Sequence, residues 1–320
     1  MQIDIDRLMQ GELGGWLADQ QGLRARAREK ARWLWTIGAA LLLPVLAFVW
    51  FVPWPLGDLR VFATAAGVAG VAWWGYLPIT AAKRTIKQGI NAAIARSLGI
   101  EYALEVRPGA EFEAALTFGL LPSHDRSACE DRWFGMLEGH RFSLYEAHLE
   151  ERRGSGKRRR WVTVFRGALI EMQFGRSFHS TTLLQRAGKH KAWFGLGGAK
   201  ESVSFEGHRL TRVDQVHPAF EDVFDLYSDD QVEARMLVHP SYVEHLLALE
   251  AAFKGEAIRA LFRKGEVILV VKSSQLFESG AMDEAGDRAR AQAAADQFAA
   301  MARLALAINQ TERGAVLGAT

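Results

Sequence analysis

The sequence predicts an α+β protein: an N-terminal transmembrane helical hairpin, then a cytoplasmic, mixed and β-rich domain that closes on a long C-terminal helix. Three observations predict this class. Two uncharged runs of 22 residues, Trp33 to Trp54 and Val61 to Ala82, stand close together near the N-terminus. The middle of the chain is rich in short alternating apolar and polar segments, as half-buried strands are. An alanine-rich stretch, Asp283 to Asn309, carries Phe298, Met301, Ala305 and Ile308 at helical spacing. The expected divisions are a cytoplasmic segment 1–32, the hairpin 33–82, a helical stalk 83–99, the α+β domain 100–309 and a tail 310–320.

At 1.5 Å per residue, each uncharged run makes about 33 Å of helix, enough for a hydrocarbon core of about 30 Å. Trp33, Trp35, Trp50 and Trp54 bracket the first run as interfacial anchors do. The late start of that run, and the second run behind it, argue against a cleaved signal peptide. Before the first run the chain has Gly11, Gly14 and Gly15, which read as a break between two helices. The connection Pro55 to Arg60 is short, so the spans form a tight hairpin. Arg24, Arg26, Arg28, Lys30 and Arg32 precede the first span, and Lys83, Arg84 and Lys87 follow the second. This asymmetry places both termini in the cytoplasm. Ala66 and Gly70, with Ala65 and Ala69, offer a small-residue face for the first span or for another copy. No ionisable residue lies in either span, which argues against a proton relay there.

Past the second span, Ile86, Ile90, Ile94 and Leu98 recur every four residues, and Gly99 is placed to end the helix. Tyr102, Leu104 and Val106 alternate as a strand, and Glu111 to Gly119 fits a short helix. From Arg132 the pattern turns to strands. Arg141 to Glu150 and Trp161 to Phe174 read as two neighbours, the second apolar on both sides and therefore central. The segment between them, ERRGSGKRRRW, then forms a hairpin loop with Gly154, Ser155 and Gly156 at the reversal. Phe178 to Gln185, Val203 to Phe205 and Leu210 to Val216 are further strands. Pro218 to Phe224 reads as a helical turn, and Ser228 with Gln231 as a capping box. Ser241 to Phe253 is a helix, and Ala257 to Ser273 a hairpin turning at Lys264-Gly265.

Composition narrows the function classes. Hydrophobic residues make up 49% and charged residues 24%, as in a folded chain. A formal net charge of +2 gives no support to a nucleic-acid binder. A single cysteine, Cys129, excludes an intramolecular disulfide and suits a reducing compartment. GSGKR lacks the first glycine and the hydroxyl of a phosphate-binding loop, because Glu151 and Arg158 stand there. The nine histidines form neither a His-x-x-x-His pair nor a zinc-protease helix, so no metal and no cofactor is expected. Asp229, Asp230 and Glu233 read either as helix caps or as an acidic site for general acid–base chemistry.

Two segments suit an anionic membrane surface. One is the hairpin loop with Arg152, Arg153, Lys157, Arg158, Arg159 and Arg160; the other carries Lys189, Lys191, Trp193 and Phe194 among glycines. A solvated turn and a Trp-Phe pair tucked against the sheet are the competing readings.

VFRGALIEMQF from Val164, HPAFEDVFDLYSDDQVEARMLVHPSYVEHLLALE from His217, and SQLFE from Ser274 resemble a bacterial family of unknown function, some of whose members go under the name galanin. The likeness spans roughly residues 80 to 310. Its most specific part is the array Phe220, Phe224, Tyr227, Ser228, Asp229, Gln231, Glu233, Ala234, Arg235 and Pro240. The resemblance implies a protein of the bacterial cytoplasmic membrane, with a membrane hairpin, a cytoplasmic domain and no established reaction. The expected function is a membrane-anchored binding or scaffold module for a protein partner or an anionic lipid surface, without enzymatic activity. The alternatives are an enzyme using the acidic cluster and a subunit of a larger membrane assembly.

Overall fold

A computed structural model describes residues 10, 12–51, 57–137, 139–156, 159–175, 177–188, 200–205, 207–214, 221–238, 240–273, 276 and 286–316. The chain divides into two compact units, one dominated by residues 4–93 and the other by 94–278 with 292–320.

In the first unit, α1 (Glu12–Phe51) and α2 (Leu59–Ser97) are 40 and 39 residues long. Both are long and apolar enough to cross a membrane. Phe51 and Phe62 are 87% and 71% exposed, and Leu41, Leu43, Phe48 and Trp73 are exposed with them, a surface suited to lipid. The helices meet through glycines. A Cβ on Gly38 would stand 2.6 Å from Val71, and one on Gly67 would stand 2.6 Å from Leu42. Gly75 lies under the Trp35 ring and Gly89 under the Trp16 ring, where a Cβ would overlap the indole. Close backbone approach gains dispersion contacts that the hydrophobic effect cannot supply in lipid. Trp35 Nε1 also donates to the Ala72 carbonyl at 3.2 Å, and Trp50 Nε1 to Thr64 Oγ1 at 3.1 Å.

Two expectations change here. Helix α1 runs without interruption through Gly14 and Gly15, because each glycine costs a helix only about 1 kcal/mol, which a 40-residue helix absorbs. Ala65, Ala66, Ala69 and Gly70 are exposed, with open space beside Gly70, so the face that meets α1 is the one bearing Gly67 and Gly75.

Helix α2 buries Ile86, Ile90 and Ile94 and ends at Gly99 with φ +66°. The Ile100 N–H bonds the Ala95 carbonyl and the Gly99 N–H bonds that of Arg96, the paired bonds of a Schellman stop.

The second unit is built on one ten-stranded sheet in which every neighbouring pair is antiparallel. In chain order its strands are β1 (Glu101–Glu105), β2 (Arg126–Leu137), β3 (His140–Arg153), β4 (Arg160–Gln173), β5 (Thr182–Arg186), β6 (Ser202–Phe205), β7 (His208–Arg212), β8 (Phe224–Ser228), β9 (Glu256–Arg263) and β10 (Glu266–Lys272). Their spatial order is β1-β2-β3-β4-β10-β9-β5-β8-β7-β6.

Helix α3 (Ala110–Thr117) lies between β1 and β2 in sequence and covers one face of the sheet. Its Phe112 and Ala115, followed by Phe118 and Leu120, pack with Tyr145, Leu149, Leu169, Leu183, Tyr227, Leu261 and Val270. Residues of opposite parity, among them Leu144, Ile170, Phe262 and Leu269, are buried on the other face. Three helices follow: α4 (Gln231–Leu237), α5 (Pro240–Ala252) and α6 (Asp287–Val316). Tyr242 of α5 meets the Phe262 ring at 5.6 Å, and Phe298 of α6 meets Trp133 at 4.6 Å. With both faces covered, the central strands are near-continuous apolar runs, as in Val267–Val271.

The β9–β10 hairpin turns on Lys264 and Gly265, both at positive φ, as a two-residue turn of the right twist requires. Strand β2 starts six residues before the expected onset at Arg132. A bulge between Glu130 and Trp133, with Asp131 at φ +58°, shifts its alternation and hides the strand from a period-two search.

Candidate functional site

The β3–β4 pairing continues past the end of β10. Lys272, the last residue of β10, stands opposite Gly167, whereas β3 and β4 run on to the pair Arg153–Arg160. The outer segment is a ribbon, flanked by β2 as far as Arg126–Glu150. Gly154 and Gly156 take positive φ at its turn. Arg152, Arg153, Arg159 and Arg160 are exposed on it. Arg153 pairs with Glu151 at 2.8 Å, and the Arg152 backbone N–H donates to the Asp125 carboxylate at 2.6 Å. Arg152, Arg159 and Arg160 form no ion pair with any described residue. Opposite Arg152 sits Trp161, 42% exposed, with the Arg126 guanidinium 4.1 Å from its ring. Arg126 is held there by Glu150 at 2.6 Å, and this hydrogen bond keeps the Glu150 carboxyl below the usual range. Lys157 and Arg158, and the whole second segment with Lys189, Lys191, Trp193 and Phe194, lie outside the described residues.

The acidic trio is engaged with backbone. Asp229 accepts the Thr181 N–H at 2.8 Å. Asp230 is the N-cap of α4 and accepts the N–H groups of Val232 and Glu233 at 2.9 and 3.0 Å. The cap is therefore Asp230 and not Ser228, which is buried between β5 and β8 with its hydroxyl 2.8 Å from that of Thr182. Glu233 takes the N–H groups of His179 and Ser180, the latter at 2.6 Å. Desolvation pushes the Glu233 carboxyl up, but hydrogen bonds from Ser180 and His179 outweigh it and hold the group below the ordinary range. Asp229 and Glu233 thus tie the segment before β5 to the start of α4, and Asp230 caps that helix from within.

A second carboxylate group was not legible in the sequence. Glu130, Asp131 and Glu146 bring one oxygen each within 4.8 Å of one another. Such a set can ligate a divalent cation. Here Glu146 receives Arg166 Nε at 2.7 Å, and Asp131 receives the Tyr102 hydroxyl at 2.5 Å. Arg166 thus offsets the Glu146 charge, and the Tyr102 hydroxyl satisfies one Asp131 oxygen.

A third grouping lies on the α3 face of the sheet, where Arg132, Arg141, Glu171 and Glu266 line one concavity. Burial, then the neighbouring Glu266 and Glu111 carboxylates, push the Glu171 carboxyl up to about 7, with Arg141 opposing. Burial beside Glu111 likewise raises the Cys129 thiol to about 11, which removes it as a nucleophile at neutral pH.

Residues 163–310 match the model of a family described as a protein of unknown function, DUF3137. That match runs from within β4 to α6, so it takes in the acidic trio and leaves out α1, α2, β3 and the turn of the ribbon. No curated protein matches the chain. Among solved structures, the chain is similar to the mycobacterial trehalose monomycolate transport factor A at 9% identity, over 69% of this chain and 94% of that one, with a TM-score of 0.35.

Proposed function

We propose that the chain is a two-span membrane-anchored module whose cytoplasmic domain engages an anionic lipid surface through the β3–β4 ribbon, and that it catalyses no reaction. Trp161 carries the reading. It is an exposed indole between two arginines, Arg152 across the ribbon and Arg126 over its ring, on a ribbon that ends in further arginines. Indoles partition to the bilayer interface, and each basic group near an anionic surface contributes about 1 kcal/mol. In this reading 1–32 and 83–320 are cytoplasmic, 33–82 spans the bacterial inner membrane, and 83–99 is the stalk. The basic residues of α1 before residue 33 and of α2 after residue 82 support that orientation.

A dye sensitive to polarity, attached at Ser155→Cys in a Cys129→Ser background, tests the contact in nanodiscs. Anionic lipid should shift its emission to the blue, and neutral lipid should not. Replacing Arg152, Arg153, Arg159 and Arg160 with Ser should abolish the shift, weakening surface binding by about a hundredfold once the Arg153–Glu151 pair is discounted. Emission indifferent to lipid charge would reject the proposal.

The exposed face of Ala65, Ala66, Ala69 and Gly70 favours a second reading, a subunit of a larger membrane assembly. Disulfide cross-linking at Ala66→Cys in native membranes separates the two: a discrete adduct supports assembly, and a monomer alone rejects it.

A further inference from the structure

We propose that the concavity on the α3 face of the sheet is a binding site for a small monocarboxylate with an apolar tail, anchored by Arg132. It encloses about 490 Å³, within the range of small-molecule pockets. Register builds it. Phe134 of β2 stands opposite Ser143 of β3, and Ser143 opposite Glu171 of β4; in the next row on that face Met136 stands opposite Arg141, and Glu266 of β10 opposite Gln173. All these side chains share one face by the alternation of strands.

Arg132 is preorganised. Its Nε donates to Ser143 Oγ at 3.0 Å, and its guanidinium lies 5.0 Å from the Phe134 ring. With Nε engaged and the plane fixed by the ring, the terminal amino groups are left to bind. Arg132 forms no salt bridge with any described carboxylate, whereas Arg141 is paired with Glu266 at 3.0 Å. With that pair neutral, the surplus positive charge of the site is that of Arg132 whenever Glu171 is protonated.

Two features choose the ligand. A guanidinium edge presents parallel donors that match the two in-plane oxygens of a carboxylate. The Glu266 carboxylate stands in the same site and disfavours a dianion, so a single negative charge fits better than phosphate does. Met136, 57% exposed, and Phe134 line the same cavity and supply an apolar wall for a tail. Glu171, held near neutral pH by burial and by Glu266 and Glu111, leaves the site net positive when protonated.

The test is calorimetric titration of the full chain in nanodiscs with hexanoate, hexan-1-ol and inorganic phosphate. Hexanoate should bind saturably. Arg132→Gln should weaken it by about ten- to a hundredfold, the loss expected for a charge-assisted contact, with thermal unfolding unchanged. Hexanol and phosphate should each bind at least about tenfold more weakly, since each lacks one half of the match. Should Arg132→Gln misfold, Ser143→Ala releases the Nε brace and should weaken hexanoate by a smaller factor. Absence of saturable hexanoate binding, equal binding by a folded Arg132→Gln or Ser143→Ala variant, or phosphate binding as tight as hexanoate would each overturn the assignment.

Discussion

Glu171→Gln should stabilise the protein at pH 8 and leave it nearly unchanged near pH 4.5. The Glu171 carboxyl is raised from 4.5 to about 7, burial first and the Glu266 and Glu111 carboxylates next. Below pH 4.5 both the folded and the unfolded chain hold the proton. Between 4.5 and 7 the unfolded chain releases it while the folded chain retains it, so stability falls as pH rises. Above 7 both are ionised and the full penalty stands. At about 1.4 kcal/mol per pH unit the penalty is about 3 kcal/mol, and solvent access to a half-buried group reduces it to about 1–2 kcal/mol. For a domain of this size that corresponds to about 2–8 °C in Tm. Glutamine stays neutral at every pH and can still donate to Glu266. The assay is thermal unfolding of the full chain in detergent, wild type against Glu171→Gln, from pH 4.5 to 8. A difference in Tm that does not grow with pH, or that grows in favour of the wild type, would refute the reasoning.

Four other substitutions test further contacts. Asp230→Ala removes the acceptor of two α4 N–H groups and should cost about 1 kcal/mol, seen as a lower unfolding midpoint. Glu233→Gln should weaken the hold on the His179 and Ser180 N–H groups at neutral pH. Because the Glu233 carboxyl is depressed, the wild-type advantage should vanish as pH falls through its folded value. Gly167→Ala places a Cβ against the Val271 carbonyl, a backbone atom that cannot yield without parting β4 from β10, and should destabilise by more than about 3 kcal/mol or abolish soluble expression. Gly75→Val drives a branched side chain into the Trp35 ring, and should lower the yield of a disulfide engineered between α1 and α2.

The helices of the hairpin were legible because 22 uncharged residues have few other readings, and the stop at Gly99 because its φ demands glycine. The β3–β4 and β9–β10 turns were legible for the same chemical reason, glycine between two alternating runs. Strand β8 was not. All five residues of Phe224–Ser228 are buried, so no alternation marks them, and the following acids resemble only a cap. The acidic trio was visible as a group of residue types, yet its role depends on Thr181 and on the N–H groups of His179 and Ser180, some fifty positions away. The Arg132–Glu171–Glu266 patch left no local trace. Each member is an ordinary polar residue in its own strand, and only the register of four strands brings them together. Trp161 was visible as an aromatic beside a basic run, but its cover by Arg126 comes from a third strand.

The glycine seam of the hairpin fixes more than distance. Helix α1 sends Trp16, Trp35 and Leu42 onto Gly89, Gly75 and Gly67, while α2 returns Val71 onto Gly38. Each bulky group has one notch, spaced along the pair like the wards of a lock. A slip of one residue would set all four against positions that carry a Cβ. The pair therefore has a single stop along its axis, and it should resist shear better than it resists peeling. Residues 35 and 75 form one unit of sequence change: a larger residue at 75 becomes tolerable only when 35 becomes smaller in step.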